Sequence, residues 1–236
     1  MEIRSCCTPG SPTSDRSQGQ AEAAPVPQEQ IGALYDSLAP AYDVWAFATE
    51  SKARKRALEL ARIQDGEAIL EVAVGTGLMF EQVLRRNPHG KNMGIDLSEG
   101  MLAKAKERAS KHAKVDYELS LGSALDLPFQ SESIDLLINT YMFDLLSAED
   151  TAEALGEFAR VLRPGGRIVL VNMARGRTPM SRLYEHISRW SPRTLGGCRG
   201  VEVARKLPHH GFAVDETEYH QQCLFPSEIV TARKPE

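Results

Sequence analysis

The first residues that could do chemistry lie in a glycine-rich segment, Glu71–Gly77, which reads E-V-A-V-G-T-G. It overlaps the end of an apolar run, 68–74, and leads into a helical pattern, 78–86, which predicts a strand, a tight loop and a helix. Glycine in such a loop lets a ligand approach the backbone and permits a positive φ. Asp96 ends the next predicted strand, about 20 positions further on, where dinucleotide-binding folds place the acid that binds ribose hydroxyls. Together these residues predict a ligand that contains a nucleoside.

The charge of the loop narrows the kind of nucleoside. A nicotinamide dinucleotide requires G-x-G-x-x-G and an open helix N-terminus for its pyrophosphate. The corresponding positions here are Ala73, Gly75 and Leu78, and Glu71 precedes them. A carboxylate at this place repels a pyrophosphate and attracts a cation. The loop therefore favours a ligand with an amino-acid end and a sulfonium.

Alternating strand and helix patterns from residue 30 onward position this loop. Strands are predicted at 68–74, 91–95, 115–120, 134–139 and 167–172, with helices at 50–63, 78–86, 99–112 and 148–162 and a turn at Arg163–Gly166. Apolar strands separated by amphipathic helices indicate an α/β, doubly wound and mainly parallel sheet. The extended stretches 212–222 and 227–233 are joined by too few residues for a parallel crossover, so they predict an antiparallel hairpin and a total of seven strands.

The composition argues against several classes of function. The 236 residues are 42% hydrophobic and 25% charged with a net charge of −4, as expected of a soluble protein, and lack the basic excess of a nucleic-acid binder. No segment has the roughly 20 apolar residues of a membrane span or the character of a signal peptide, so a cytoplasmic location is expected. Cys6, Cys7, Cys198 and Cys223 have no C-x-x-C spacing, and neither they nor the histidines predict a metal site.

The chain divides into a tail and one domain. Residues 1–28 are rich in Ser, Pro, Gly and Gln without apolar periodicity, which predicts a disordered tail. Residues 29–236 form the predicted domain, with an insertion or lid at about 173–211. In that insertion Met180, Leu183 and Tyr184 lie on one helical face, which suits a core-facing helix better than peripheral membrane contact, though both remain open.

Residues 35–172 resemble the class I S-adenosylmethionine-dependent methyltransferases, whose domain is Rossmann-like. The resemblance rests on ILEVAVGTG, on GIDLSEGML, on GSALDLPF at 122–129 and on LRPGGRIVLVN at 162–172, in the family's order. It implies S-adenosylmethionine as cofactor. The cofactor contacts it implies are Tyr42, Glu71, Ala73, Gly75, Gly77, Asp96, Leu97, Met101, Ser123, Ala124 and Asn139. Ala73 replaces a usual glycine, and Ser123 stands where an aspartate commonly binds the adenine.

The sequence motifs say less about the methyl acceptor than about the cofactor. The segment Tyr35–Asp43 resembles the lead-in of methyltransferases of menaquinone and ubiquinone biosynthesis, but Asn139–Asp144 departs from their G-I/L-R-N sequence. At this end of the fourth strand, Asp144 is a candidate proton acceptor or partner of a cationic acceptor, and it equally fits a helix cap or a surface acid. Tyr141 is a candidate wall of the pocket around the transferred methyl group, and it equally fits core packing.

The predicted function is methyl transfer from S-adenosylmethionine to a small, hydrophobic or lipid-like acceptor. Methyl transfer mainly requires alignment of the nucleophile and exclusion of water, so few side chains are obligatory. One alternative is a phospholipid amine N-methyltransferase, because soluble members of that group share the V-G-T-G-L loop and the run at 97–106. Others are a cofactor-binding regulatory protein without turnover and, through Cys198, a metalloid methyltransferase.

Overall fold

One mixed sheet organises the chain in a computed structural model, which describes residue 43 and residues 46–175, 200–223 and 225–236. Its strands in the described residues are β1 (Ala68–Val72), β2 (Lys91–Asp96), β3 (Tyr117–Leu121), β4 (Ile134–Thr140), β5 (Leu162–Met173), β6 (Ala213–Gln222) and β7 (Phe225–Arg233). They lie in the order β3-β2-β1-β4-β5-β7-β6. The first five pair in parallel, and β7 pairs antiparallel with both β5 and β6. The predicted seven-stranded α/β sheet with its antiparallel hairpin is confirmed.

Helices cover both faces of this sheet. Their bounds are 46–60 for α1, Leu78–Arg86 for α2, Glu99–Ala109 for α3 and Ala148–Val161 for α4. Successive β4 residues point to opposite faces. Leu136 accordingly packs with Ala53 and Ala57 of α1, and Leu137 packs with Phe158 of α4. The small residues of α1 allow the helix to lie close against the sheet, as its apolar pattern predicted.

Several predicted boundaries were wrong; helix α1, for example, ends at residue 60 instead of 63. Helix α1 begins before residue 50, and helix α3 ends at Ala109 instead of residue 112, where a 3₁₀ turn takes over. The predicted turn at Arg163–Gly166 is part of a long strand β5 instead. The Gly165 N–H donates to the Lys234 carbonyl at 2.8 Å, and the Lys234 N–H donates to the Gly166 carbonyl at 2.9 Å. Lys234, just beyond β7, therefore extends the β5–β7 hydrogen-bond ladder along Arg163–Gly166, the segment whose local sequence predicts a turn.

The strand order reverses between β1 and β4, which both lie at the centre of the sheet. From β1 the chain crosses to β2 and β3 on one side, and from β4 it crosses to β5 on the other. The connections therefore diverge beyond the carboxyl ends of β1 and β4 and leave a crevice there, where open α/β sheets bind their ligands. The predicted glycine loop follows β1 directly into this crevice.

The tail 1–28, the residues 176–199 of the predicted insertion, and Tyr35, Tyr42, Cys198 and Arg199 lie outside the described residues. The described end of the insertion contains short 3₁₀ helices at Val203–Arg205 and Leu207–His210. None of the helices in the described part of the chain combines the length and hydropathy needed to cross a membrane.

Phe158 provides a test of the core on the α4 face. It is fully buried, and its ring meets that of Phe143 edge-on at 5.7 Å between centroids. Replacement Phe158→Ala should lower the free energy of unfolding by about 3–5 kcal/mol, because it removes buried apolar area and leaves a cavity. The matched control is Phe47→Ala on α1, where the side chain is 75% exposed and the expected change is within about 0.5 kcal/mol. Urea unfolding of both variants measures the difference, and equal effects would contradict this description of the core.

Candidate active site

The glycine loop has an unusual backbone. Ala73, Gly75 and Gly77 all have positive φ, at 57°, 56° and 81°. A Cβ on Gly77 would lie 3.0 Å from the Cα of Ala105 in α3, so glycine is required there for close packing as well as for its dihedral angle. Ala73 adopts the same left-handed region as an ordinary L-residue, which explains why the family usually has glycine at that position. The loop thus turns sharply enough to present backbone groups at the end of β1.

Asp96 fixes this loop from the neighbouring strand. Its Oδ2 accepts a hydrogen bond from the Gly75 N–H at 2.7 Å, and its Oδ1 accepts one from the Ser98 N–H at 2.9 Å. Ser98 in turn caps α3 by accepting from the Met101 N–H. The carboxylate is nearly buried, at the carboxyl end of β2, so it lies where the loop, the strand and the helix meet.

The residues predicted around the adenine lie on the same side of the crevice. The Gly122 N–H donates to the Asp96 carbonyl at 3.0 Å, which brings 122–124 next to the end of β2. The Ser123 hydroxyl accepts from the Leu125 N–H, so it stabilises its own turn, and Ala124 is buried. Leu97 is exposed whereas Met101 is buried. The structure brings these positions together near the carboxyl end of β2, where Asp96 lies.

Two buried side chains near the carboxyl ends of the central strands β1 and β4 carry acceptor atoms without partners in the described residues. Glu71 on β1 is 1% exposed, and among the described residues its Oε2 has no hydrogen-bond partner. Asn139 on β4 pairs in register with Val72; its Nδ2 donates to the Val72 carbonyl at 2.8 Å, while its Oδ1 likewise has no partner in the described part. Burial raises the pKa of Glu71 well above the usual value, and Asp96 adds to the rise while Arg54 opposes it. Unpaired buried acceptors fit a ligand that brings N–H donors and positive charge, as the amino-acid end of S-adenosylmethionine does.

Tyr141 follows β4 with a positive φ of 56° and is buried. Its hydroxyl is hydrogen-bonded to the Ser227 hydroxyl at 2.8 Å, and its ring packs edge-on against Phe225 on β7. Burial raises its pKa well above 10, and the charge of Glu50 adds to the rise. The phenol therefore stays protonated at neutral pH and holds the end of β4 against β7.

Asp144 lies in a short 3₁₀ turn, Phe143–Leu145, and its exposure is 0%. The alternatives of a surface acid and of a helix cap are wrong for this residue. It is completely buried, and Ser147 supplies the capping box of α4 instead. A buried acid directly after β4 acts strongly on neighbouring groups, because little water screens its charge.

Charged residues on α1 complete the site, and sequence reasoning missed them. Glu50 is buried, and Arg54 lies 3.8 Å from its carboxylate and also donates to the Ala46 carbonyl. Their signal was present: Glu50 and Arg54 follow the same spacing as Ala53 and Ala57, on the face of α1 that packs on the sheet. Charged residues at such positions point to a site beneath the helix.

Other missed residues are polar groups on the later strands. Asn172 on β5 is fully buried, and neither atom of its amide has a hydrogen-bond partner within the described ranges. It pairs across the ladder with Glu228 on β7, which is also buried. Their signal in the sequence is weak, because Asn172 is a single polar residue in an apolar run and Glu228 follows only Ser227 in β7.

The raised pKa of Glu71 predicts a pH dependence. Between its ordinary pKa of 4.5 and the higher pKa of the folded state, the folded chain holds a proton that the unfolded chain has lost. Stability contributed by this residue is therefore present at low pH and lost as the pH rises through that window. Glu71→Gln is neutral at every pH, so its stability relative to wild type should increase from about pH 5 to about pH 8.

Chemical denaturation at both pH values measures this difference. The control is Glu157→Gln, because a hydrogen bond from Arg160 lowers the pKa of Glu157 and keeps it ionised over the same range. Its effect on stability should be independent of pH there. A pH-independent difference for Glu71→Gln would show that Glu71 is ionised in the folded protein without its cofactor.

Comparisons with known proteins agree with this geometry. A family model described as a methyltransferase domain matches residues 69–166. The demethylmenaquinone methyltransferase of Listeria monocytogenes serotype 4a is 31% identical over 160 residues, which are 64% of this chain and 65% of that protein. The chain thus spans just under two thirds of that relative's length. The ubiquinone/menaquinone biosynthesis C-methyltransferase of Geotalea daltonii is 32% identical over 166 residues, 67% of this chain and 68% of that protein.

A solved structure shares the fold. Geranyl diphosphate methyltransferase in complex with S-adenosylmethionine superposes with a TM-score of 0.64 over 78% of this chain and 85% of that chain, at 15% identity. The comparisons and the crevice lead to one family and one cofactor, S-adenosylmethionine. The chain belongs to the class I S-adenosylmethionine-dependent methyltransferases.

Proposed function

We propose that this methyltransferase acts on a small, hydrophobic or lipid-like acceptor that binds at the carboxyl ends of β4 and β5 and the adjoining amino end of β7. The observation that carries the proposal is the composition of the wall after β4. Tyr141, Met142 and Phe143 are buried there in succession, and the fully buried Asp144 follows them. Such a wall excludes water from an apolar acceptor and places one carboxylate beside it.

The cofactor is assigned to the crevice between β1 and β4. Asp96 would accept the ribose hydroxyls, and Glu71 would receive the ammonium of the amino-acid end. Arg54, which opposes the rise in the pKa of Glu71, supplies the positive charge that suits the carboxylate of that end. Leu97, Met101, Ser123 and Ala124 would surround the adenine. When bound, S-adenosylmethionine supplies an electrophilic methyl group on a sulfonium.

The protein's own part in the reaction is alignment and proton handling. Asp144 would accept the proton of an acceptor hydroxyl or carbon acid, or pair with an acceptor that carries positive charge. Asn172 offers both a donor and an acceptor to a polar atom of the substrate, and its lack of partners in the described residues is explained by that role. Tyr141 would shape the wall, because its hydroxyl is engaged by Ser227.

A quinol-like acceptor is supported by the curated relatives, which are named for menaquinone and ubiquinone biosynthesis. A phospholipid amine is the second candidate, and one observation favours it. The buried acids Asp144 and Glu228 lie near the carboxyl end of β4 and beside the carboxyl end of β5, and carboxylates at these places suit a cationic or amine acceptor. Peripheral contact with a membrane would bring either acceptor within reach.

Turnover identifies the acceptor. Purified protein with S-adenosylmethionine is offered demethylated quinols, simple phenols, free amines and phosphatidylethanolamine vesicles, and S-adenosylhomocysteine is measured. We expect turnover with an apolar hydroxylated or quinol acceptor. Turnover with phosphatidylethanolamine alone would establish the second candidate, and preference for a fully hydrophilic acceptor would contradict the proposal.

Asp144→Asn tests the role of the buried acid with whichever acceptor is turned over. We expect kcat to fall about 100-fold or more, since general-base catalysis contributes 10²–10⁴-fold, while the dissociation constant of S-adenosylmethionine changes little. Asp116→Asn, an exposed acid before β3, is the control and should leave both values unchanged. Full activity of Asp144→Asn would remove Asp144 from the reaction.

Asp96→Ala tests the cofactor assignment independently of the acceptor. Calorimetric titration with S-adenosylmethionine should show binding weakened by about 100-fold or more, since hydrogen bonds to a charged group contribute about 1.5–3 kcal/mol each. The matched control is Asp135→Ala at the amino end of β4, where the carboxylate also accepts a backbone N–H, from Ala68, at 2.7 Å. Equal affinities of the two variants would overturn the assignment.

A further inference from the structure

Asp43, a helical residue ahead of the bounds given for α1 (46–60), makes close contacts with the glycine loop. Its Oδ1 accepts a hydrogen bond from the Thr76 hydroxyl at 2.5 Å, and its Oδ2 pairs with Nη2 of Arg108 on α3 at 2.6 Å. Arg108 also donates through Nε to the Thr76 carbonyl at 3.0 Å. Thr76 is therefore held at both its side chain and its backbone by the same ion pair, which we call the Asp43 latch (Asp43, Thr76 and Arg108).

The position of Thr76 gives these contacts their importance. It lies between Gly75 and Gly77, both in the left-handed region, where glycine gives the backbone little intrinsic preference. The adjacent Gly75 N–H donates to Asp96. The amide that contacts the proposed ribose-binding acid is thus one peptide unit away from Thr76, and a displacement of Thr76 disturbs the backbone that positions it. The latch supplies a constraint that the glycines themselves lack.

Helix α1 connects the latch to the acceptor side. Gln222, at the end of β6, accepts from the Lys52 N–H at 2.8 Å and donates to the Phe47 and Ala48 carbonyls at 2.9 Å each. Further along, Arg56 pairs with Glu218 of β6 at 2.6 Å. The helix is thus tied to the β6–β7 hairpin by its own contacts, and it carries Glu50 and Arg54 over the site. The latch joins the chain at the start of this helix to the glycine loop.

We propose that the Asp43 latch couples the cofactor loop to helix α1, so that cofactor binding and docking of α1 on the sheet favour each other. Asp43 is a positioning residue in this scheme, because it acts through Thr76. The proposal rests on the assignment of the cofactor to the glycine loop given above. It goes beyond that assignment, since docking of α1, which carries Glu50 and Arg54, would then depend on whether the cofactor is bound.

The latch is suited to reversible coupling. The Asp43 side chain is 39% exposed and that of Arg108 is 21% exposed. Water therefore competes with the ion pair, and breaking the pair costs little free energy. Thr76, in contrast, is buried. Ordering of the loop by a bound cofactor would hold the Thr76 hydroxyl in place, and Asp43 would then bind it more firmly. Linkage requires the reverse effect to be equally large.

The experiment uses the full chain and S-adenosylhomocysteine as the probe, so no acceptor is needed. Thr76→Val removes the hydroxyl, and Asp43→Asn removes the charge. Calorimetry should show affinity weakened by about tenfold in each, the size expected of one charge-assisted hydrogen bond. Thr76→Ser keeps the hydroxyl and should restore the affinity to within about twofold of wild type. The matched control is Asp215→Asn on β6, which breaks an ion pair with Arg233 on β7 and changes an acid whose exposure, 35%, is similar to that of Asp43.

Hydrogen exchange measures the coupling itself. S-adenosylhomocysteine should slow exchange of the α1 amides, 46–60, in wild type and in Asp215→Asn, and this protection should be lost in Asp43→Asn and Thr76→Val. Wild-type affinity in those two variants, or weakened affinity with unchanged protection of α1, would overturn the proposal. Absence of binding by wild type would instead overturn the cofactor assignment, and the latch with it.

Discussion

The hydrogen bond from the Gly75 N–H to the Asp96 carboxylate is the interaction on which the rest of the site depends. It joins the loop after β1 to the end of β2, and the second oxygen of the same carboxylate orients Ser98, the cap of α3. The glycine loop, the adenine side and the start of α3 are therefore set by one side chain. A nucleoside bound as proposed would meet a carboxylate that is already held in place, so little conformational entropy would be lost on binding.

Electrostatics separates the crevice from the ordinary core around it. Parallel sheets are usually buried between apolar layers, yet here Glu71, Asn139 and Asn172 interrupt strands at their carboxyl ends. Burial disfavours the ionised form of Glu71, and within the described ranges the charge of Arg54 opposes this effect. Groups of this kind destabilise the free protein slightly and are expected where a charged ligand supplies the missing partners. The site is therefore acidic where it meets a cationic cofactor.

Sequence reasoning predicted the sheet, the loop and Asp96 because each leaves a local signal. Apolar runs, paired glycines and an acid at a strand end can be found without knowledge of the partners they meet. Boundaries failed where tertiary pairing overrides local preference, as at Arg163–Gly166, which pairs with Lys234. Glu50, Arg54 and the Asp43 contacts were missed because they depend on how α1 lies across the sheet. The sequence did not decide between the roles considered for Asp144, because they differ in the burial of its side chain. It also did not decide whether Tyr141 is a pocket wall or a core residue, because this depends on contacts with β7 that leave no local signal.

The strand order has a consequence for how the chain acquires its fold. β7 is synthesised after β6 but lies between β5 and β6, with antiparallel neighbours on both sides. Until β7 has formed, β6 cannot join the sheet, and β5 presents an unpaired edge that includes Val169 and Val171. An unpaired apolar edge is a template for association with other chains. Nascent or truncated chains that lack β7 are thus the species most exposed to aggregation, and chaperones that bind extended apolar segments would act at this stage.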